Sequence, residues 1–325
     1  MPQPTERFDR RSVRAPTGLH DIIPSMISKL AAWLRIATAT LLVSLNCVVH
    51  ILPLLLVALL KLLLQHTPAR PACDRALMAI AGNWVAFNNW MFDHLTDTRM
   101  IITGQPEAMM DGHFMVLSNH QSWVDIPVLQ KVFYRRLPFL RFFIKSQLIW
   151  VPLLGLAWWA LDMPFMKRYT REQIQRQPEL AGRDIEATRK ACEKFRHIPV
   201  SIVNFAEGTR FTSAKQAAQD SPFRHLLKPR AGGTAFVLDA MGDSLDTLVD
   251  VTIAYPGGAG ELPTLFANQM PEIRVDVRIV PIPKELRKGN YQTDPLHRER
   301  MQAWINALWE AKDERLAELL SNPTA

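Results

Sequence analysis

A run without charged side chains restricts what the beginning of this chain can fold into. No Asp, Glu, Lys or Arg occurs in residues 36–60, a run of 25 residues. A helix needs about 20 apolar residues to cross the hydrocarbon core of a bilayer. The run lies too far into the chain, and is too poorly followed by small residues, for a cleaved secretory signal. We therefore predict a membrane-embedded helical segment, with a buried core helix as the alternative.

Basic side chains lie on both sides of this run. Those before it are Arg7, Arg10, Arg11, Arg14, Lys29 and Arg35, and those after it are Lys61, Arg70 and Arg75. Basic flanks favour the cytoplasm, and two full spans would need about 40 apolar residues. Because Pro53 removes a helical donor within the run, the sequence predicts a kink or a re-entrant hairpin in one leaflet. A single span is the alternative.

The segment that follows, residues 76–95, places aromatic side chains among polar ones. This mixture is typical of an interfacial amphipathic helix, and an ordinary core helix is the alternative. We divide the chain into a polar N-terminal arm of residues 1–20, a membrane-associated helical segment of residues 21–96 and a domain of residues 97–325.

From about residue 97 onward, short apolar runs alternate with helical stretches, which is the pattern of an α/β domain. The predicted strands are residues 100–103, 114–118, 140–144, 164–166, 200–205, 248–254 and 273–280. The predicted helices are residues 126–134, 146–159, 178–196, 233–241 and 295–320.

Composition and missing motifs exclude several classes of protein. Three cysteines without a Cys-x-x-Cys pair argue against a disulfide framework and a structural zinc site, so we expect no metal. Walker, Gly-x-Gly-x-x-Gly, His-Glu-x-x-His and Gly-x-Ser-x-Gly motifs are also absent from the sequence. The formal net charge of +7 suits an anionic partner. Basic residues form no aromatic-interleaved stripe, so we do not expect nucleic acid.

The predicted strand 114–118 runs directly into a polar segment that contains His120 and Asp125. Polar residues at the carboxyl end of a strand are where α/β sheets place their chemistry. A neutral imidazole can accept a hydroxyl proton while a carboxylate holds its other ring nitrogen. The residue pair alone is a weak signal, because capping of turns and helices by the two side chains is the simpler reading.

A second predicted strand, residues 200–205, ends in Ala206, Glu207, Gly208, Thr209 and Arg210. The guanidinium of Arg210 offers a planar, permanently charged fork for a phosphate, and Gly208 lets backbone donors approach the same anion. We predict that both strand ends face one crevice and that Glu207 orients Arg210.

These segments, NHQSWVD (residues 119–125) and FAEGTR (residues 205–210), resemble the first and third sequence blocks of the glycerolipid acyltransferase family, which includes 1-acylglycerol-3-phosphate acyltransferases. DMPFMKR (residues 162–168) is similar to the second block, with Met163 and Pro164 in place of its usual lead. KPRAGG (residues 228–233) and VTIAYP (residues 251–256) resemble the fourth block and its preceding loop. The resemblance favours a YihG-like branch.

The resemblance implies a glycerol-3-phosphate acyltransferase-like fold, in which helices flank a mixed sheet. It also implies transfer of a fatty acyl group from acyl-CoA or acyl carrier protein to 1-acylglycerol 3-phosphate, giving phosphatidic acid without a cofactor or an acyl-enzyme. By this resemblance His120 is the general base and Asp125 its orienter. The implied acceptor site comprises Glu207, Gly208, Thr209 and Arg210, with Lys167 and Arg168 as further phosphate contacts. The implied location is the bacterial inner membrane, with the catalytic domain facing the cytoplasm.

Other functions remain open at this point. Within the enzyme class, the acceptor can be another lysophospholipid or glycerol 3-phosphate. A non-catalytic membrane scaffold and a membrane-tethered nucleic-acid binder belong to different classes. A nucleophilic role for Ser122 is disfavoured, because it stands only two residues from His120 and a direct proton relay on a turn is awkward.

Overall fold

The structure is a computed structural model that describes residues 19–166, 176–177, 186, 189, 192–195 and 198–321. Its strands are β1 (Arg99–Thr103), β2 (His113–Ser118), β3 (Leu140–Phe142), β4 (Ile144–Lys145), β5 (Phe165–Met166), β6 (Val200–Phe205), β7 (Thr247–Ala254) and β8 (Glu272–Pro281). We label the described helices α1 (Leu19–Leu63), α2 (Arg70–Leu95), α3 (Asp125–Phe133), α4 (Leu154–Ala160), α5 (Ser213–Ala218), α6 (Gly232–Met241), α7 (Leu262–Phe266), α8 (Lys284–Arg287) and α9 (Pro295–Ser321).

Six strands form one mixed sheet in the order β1-β8-β7-β2-β6-β3. The four strands β7, β2, β6 and β3 are parallel, whereas β8 is antiparallel to β7 and β1 is parallel to β8. The ends of the four parallel strands define what we call the carboxyl edge of the sheet. Strands β4 and β5 form a separate parallel pair. The predicted mixed α/β sheet with flanking helices is confirmed.

Helices cover both faces of the large sheet, which explains why β2 and β7 are almost completely buried. Met115 and Leu117 of β2 pack in a core with residues of α6 and α9. Phe114 and Val116 point to the opposite face and pack with residues of α3. The strands predicted at residues 114–118, 200–205, 248–254 and 273–280 agree with the observed strands within one residue at each end.

The N-terminal part forms a hairpin of two helices, but the chain does not reverse at Pro53. Helix α1 continues from Leu19 to Leu63, and the reversal falls on residues 64–69. The prediction that the chain reverses within residues 36–60 was therefore wrong. The helix continues through Pro53 because a proline removes only a single hydrogen bond from a long helix. The chain reverses later because Pro68 disfavours the helical conformation of Thr67. The hydroxyl of Thr67 donates to Leu64 O at 2.9 Å.

Helix α2 packs along α1 through an apolar stripe of Cys73, Leu77, Ala81 and Val85, spaced four residues apart. Asn46 of α1 donates to Trp84 O at 3.2 Å and to Asn88 Oδ1 at 2.9 Å. This arrangement agrees with the core-helix alternative for residues 76–95, and the helix begins six residues earlier, at Arg70.

From Met26 to Leu63, α1 exposes many large apolar side chains on its outer face. Residues 26–63 are long and apolar enough to cross a membrane by length and composition, and most of them are not buried within the protein. Lys61 near the end of α1 forms ion pairs with Asp74 of α2 at 2.7 Å and with Asp162 after α4 at 3.6 Å. Helix α1 is thus tied both to α2 and to the α/β domain.

Only residues 96–98 separate α2 from β1. Asp97 N donates to Asn268 Oδ1 at 3.0 Å, and Thr98 Oγ1 donates to Met270 O at 2.8 Å. Because β1 runs opposite to β2, this connection lies at the carboxyl edge of the sheet. The helical hairpin therefore enters the domain at the edge where the parallel strands end.

Two predicted elements in the middle of the chain are divided in the structure. The predicted strand 140–144 separates into β3 and β4, and the predicted helix 146–159 separates into a 3₁₀ helix (Ser146–Trp150) and α4. A tight turn at Leu153, with φ +62°, interrupts the predicted helix 146–159. Most of the predicted helix 178–196 and most of the predicted arm 1–20 lie outside the described residues.

A fully buried lysine links α9 to β7. Lys312 Nζ lies 2.5 Å from Asp250 Oδ1 and donates to Val251 O at 2.5 Å. Arg278 of β8 pairs with Asp250 Oδ2, also at 2.5 Å. Burial lowers the pKa of the Lys312 ammonium, and the carboxylate of Asp250 opposes that effect.

We expect Lys312→Ala to destabilise the protein by about 3–5 kcal/mol, because it leaves a buried carboxylate short of its counter-charge. Lys288→Ala removes an exposed pair with Asp243, and such a pair contributes about 0–1 kcal/mol. Chemical unfolding of the full chain in detergent measures both values. Equal losses of unfolding free energy in the two variants would contradict a stabilising role for the buried pair of Lys312 and Asp250.

Candidate active site

The polar segment after β2 brings His120 and Asp125 into direct contact. Asp125 is the first residue of α3, and its carboxylate is fully buried. Nδ1 of His120 lies 2.8 Å from Asp125 Oδ2. The contact predicted from the sequence is present, whereas the catalytic roles of the two residues stay predictions.

Asp125 is surrounded by hydrogen-bond donors. Its Oδ2 accepts from the backbone nitrogens of Gln121 at 2.7 Å and Ser122 at 2.9 Å, and its Oδ1 accepts from the hydroxyl of Tyr255 at 2.5 Å. Burial and the neighbouring Asp125 carboxylate raise the pKa of Tyr255 well above its ordinary value. Tyr255 therefore remains a neutral donor, and the carboxylate is held by four groups.

Sequence reasoning did not assign Tyr255 to the site. It directly follows β7, so it lies at the same carboxyl edge as His120. A polar side chain directly after a buried strand was the signal that could have identified it.

The environment of Asp125 determines which nitrogen of His120 carries the proton. Because Asp125 Oδ2 already accepts two backbone N–H bonds, it acts as an acceptor, so Nδ1 of His120 donates to it. Nε2 then keeps its lone pair, and no partner occupies it in the part of the chain that the structure describes. The ring stacks on Phe205 at a centroid distance of 4.0 Å, which fixes its plane.

Ser122 and Asn119 hold the backbone of this loop. Ser122 Oγ donates to Gly260 O and accepts from Val124 N at 3.0 Å, and the residue is almost completely buried. Asn119 exchanges two hydrogen bonds with the backbone of Ile253, at 2.8 and 2.9 Å. These contacts give Ser122 a structural role and offer no base to activate it as a nucleophile.

Glu207 does not orient Arg210, and this expectation was wrong. The carboxylate is fully buried beneath the loop, where Oε1 accepts from His120 N and Oε2 accepts from Leu227 N, both at 3.1 Å. Burial raises the pKa of Glu207 to about 8, and the two backbone hydrogen bonds oppose that rise. The physical reason for the correction is that both carboxylate oxygens of Glu207 are already bound by backbone donors, His120 N and Leu227 N. Glu207 thus connects the two polar strand ends.

Arg210 lies beside this pair of strand ends. Its Nη1 donates to Glu261 Oε1 at 2.6 Å, and its guanidinium carbon lies 5.0 Å from the centre of the Trp123 ring. About a third of the side chain is exposed. The remaining donors of the fork, Nε and Nη2, have no partner among the described residues, so the guanidinium can receive an anion.

The two residues before Arg210 shape its loop. Gly208 has φ +69°, a conformation that side-chain-bearing residues rarely adopt. Thr209 Oγ1 accepts from Lys215 Nζ at 2.8 Å, and the same ammonium donates to Arg210 O at 2.9 Å. Phe211 N donates to His120 O at 2.7 Å. The loop is therefore joined to the His120 segment through the backbone.

The remaining predicted contacts lie elsewhere or are not described. Lys167 and Arg168 fall outside the described residues. A cavity of about 970 Å³ opens between the helical hairpin and the domain, away from the carboxyl edge, and includes Arg141 and Asp162 in its wall. Within the described residues, no group of three or more His, Cys, Asp or Glu side chains converges to hold a metal ion.

We expect Glu207→Gln to lower stability by about 1–3 kcal/mol, because an amide can accept from only one of the two backbone donors. A raised pKa in the folded state also means that the native protein loses stability as the pH rises from about 4.5 towards 8. In Glu207→Gln, which has no titratable group at this position, this fall of stability with pH should be absent. Thermal unfolding of both proteins across this pH range measures the effect, and an identical slope in both would refute the burial of the carboxyl.

Comparisons with known proteins show which sequences and folds this chain resembles. Residues 99–256 match the family model described as Acyltransferase. The chain is 25% identical over 272 residues to the mouse (Mus musculus) 1-acyl-sn-glycerol-3-phosphate acyltransferase epsilon, covering 77% of this chain and 68% of that protein. It is 25% identical over 254 residues to mouse lysocardiolipin acyltransferase 1, covering 73% and 62%.

A yeast (Saccharomyces cerevisiae) 2-acyl-1-lysophosphatidylinositol acyltransferase is 26% identical over 247 residues, covering 63% of this chain and 60% of that protein. The chain thus spans between 60 and 68% of the length of these relatives. The fold matches the crystal structure of the 1-acyl-sn-glycerophosphate (LPA) acyltransferase PlsC from Thermotoga maritima, with a TM-score of 0.54 and 17% identity, covering 92% of this chain and 100% of that one. Residues 99–256 are thus similar in sequence to the Acyltransferase family model, and the fold is similar to that of the Thermotoga maritima structure.

Proposed function

We propose that this protein transfers a fatty acyl group from a thioester to the free hydroxyl of a lysophospholipid. The observation that carries the proposal is the geometry of His120: its Nδ1 lies 2.8 Å from the buried carboxylate of Asp125, its Nε2 has no partner among the described residues, and its backbone oxygen accepts from Phe211 N in the Arg210 loop. A base of this kind beside an anion-binding group suits an acceptor that carries a hydroxyl and a phosphate.

The reaction needs no covalent enzyme intermediate. Nε2 of His120 takes the proton of the acceptor hydroxyl as the oxygen attacks the thioester carbonyl carbon. The carbon–sulfur bond then breaks, and the imidazolium returns the proton to the leaving thiolate. Asp125 stabilises the imidazolium that forms between the two steps, and Tyr255 keeps Asp125 in position. The acyl chain ends as an ester on the acceptor.

Arg210 binds the acceptor phosphate in this proposal. Trp123 supports the guanidinium from one face, and Glu261 occupies one of its nitrogens, so the other donors remain for two phosphate oxygens. Gly208 and Thr209 shape the loop, and Lys167 and Arg168 stay predicted contacts outside the described residues. Glu207 contributes through the backbone of His120 and does not itself contact the phosphate.

We propose 1-acylglycerol 3-phosphate as the acceptor and acyl-CoA or acyl carrier protein as the donor. The name of one relative supports this acceptor, whereas the names of two others refer to lysocardiolipin and lysophosphatidylinositol. A panel of these lysophospholipids and glycerol 3-phosphate, each assayed with both donors, identifies the pair with the highest kcat/KM. The YihG-like branch remains part of the proposal.

We further propose that the protein acts at a membrane, with α1 embedded in the bacterial inner membrane and the catalytic domain facing the cytoplasm. The exposed apolar face of α1 and the long apolar acyl chains of both substrates support this location. A non-catalytic scaffold would have no use for an imidazole that Asp125 holds in place while its Nε2 has no partner among the described residues.

We expect His120→Ala to lower kcat by about 10²–10⁴-fold, because general base catalysis typically contributes that much. Binding of the acceptor should remain, since Arg210 is unchanged. The exposed His94→Ala variant, on α2, serves as the control. Transfer of labelled acyl chains by the full chain in detergent measures the rates. An unchanged rate in His120→Ala would falsify the mechanism.

We expect Arg210→Ala to raise the KM for the acceptor about tenfold or more, because a charged hydrogen bond contributes about 1.5–3 kcal/mol. The KM for the acyl donor should stay the same. Arg224→Ala, an exposed arginine on the loop before α6, controls for the loss of a positive charge. A change confined to the donor KM would show that Arg210 binds the donor.

A further inference from the structure

A second exposed apolar surface lies on the catalytic domain itself. It consists of Trp150, Leu153, Leu156 and Trp159, which we call the tryptophan patch. These side chains are 85, 41, 51 and 50% exposed, respectively. The chain carries no charged residue between Lys145 and Asp162. Four large apolar side chains grouped in this way indicate a contact surface, because soluble surfaces rarely expose a contiguous apolar area.

The backbone holds this patch in an unusual conformation. Leu153 has φ +62° and ψ −51°, and Leu154 N donates to Pro152 O at 2.7 Å across it. This is a classic γ-turn, a form that is rare and strained for a residue with a side chain. The turn ends the 3₁₀ helix and starts α4, and it leaves Trp150 and Leu153 projecting from the domain.

The tryptophan patch lies beside the C-terminal half of α1, because α4 packs against the inner face of that helix. Beneath it, Ala157 and Ala160 of α4 share one apolar core with Ile51, Leu54 and Ala58 of α1. Trp159 borders the 970 Å³ cavity together with Leu62 near the end of α1. The tryptophan patch is therefore held in a fixed position relative to α1.

We infer that the tryptophan patch inserts into the bilayer as a second membrane contact and so docks the catalytic domain on the lipid. This inference rests on the membrane association proposed above. Its occupant is a lipid surface: the patch lies on an element that packs against the proposed membrane helix α1, its segment is uncharged, and tryptophan is enriched where a protein meets the headgroup region. A docked protein would instead require hydrogen-bonding groups at the rim of the patch.

Photo-cross-linking of the full chain in phosphatidylethanolamine and phosphatidylglycerol vesicles tests the inference without reference to catalysis. p-Benzoylphenylalanine replaces Trp150 in one protein, the exposed Leu45 of α1 in a second and the exposed Leu296 of α9 in a third. Because Trp150 is largely exposed, its replacement leaves the core intact. We expect lipid adducts at positions 150 and 45 and none at position 296.

The three positions separate the possible failures. Adducts at position 45 but not at position 150 would overturn the inference and leave the membrane association of α1 intact. No lipid adducts at any position would overturn both. Adducts of position 150 with a second copy of the chain or another protein would replace the lipid by a protein partner and also reject the inference.

A serine variant gives a quantitative second measurement. We expect Trp150→Ser to lower the partition coefficient into the same vesicles about tenfold, because an inserted large apolar side chain contributes about that factor. Leu296→Ser, an equally conservative loss of an exposed apolar side chain, should leave the partition coefficient unchanged. An equal effect of the two substitutions would contradict a specific insertion of the tryptophan patch.

Discussion

The buried carboxylate of Asp125 is the interaction on which the proposed chemistry depends. It accepts hydrogen bonds from His120, from two backbone nitrogens and from Tyr255, so its charge is compensated without a nearby cation. This arrangement joins the end of β2, the start of α3 and the end of β7 at one point. An imidazole held in this way has one possible tautomer and one orientation, which a base on a flexible loop would lack.

The sequence predicted the strands of the sheet well, because a strand buried on both faces must be almost continuously apolar and must end at polar or turn-forming residues. It also predicted the contact of His120 with Asp125, which are five residues apart. Tyr255 could not be placed in the same way, because it stands 130 residues from Asp125 and only the order of the strands brings them together.

Other expectations failed for local reasons. Glu207 was expected to meet the nearest cation, but backbone donors from two separate loops lie closer to it. The hairpin was placed at Pro53, although a long helix tolerates a single missing hydrogen bond when tertiary contacts hold both of its halves. The division at Leu153 of a largely apolar segment depends on a strained turn, which residue types alone do not reveal.

The short connection between α2 and β1 has a mechanical consequence. Since Thr98 and Asp97 are bonded to the segment before β8, the helical hairpin and the carboxyl edge of the sheet cannot tilt independently. If α1 is embedded in a bilayer as proposed, the height of His120 above the lipid surface follows from how deeply that helix lies in it. Bilayer thickness and headgroup packing would thereby govern how far an acceptor must rise out of its leaflet to be acylated.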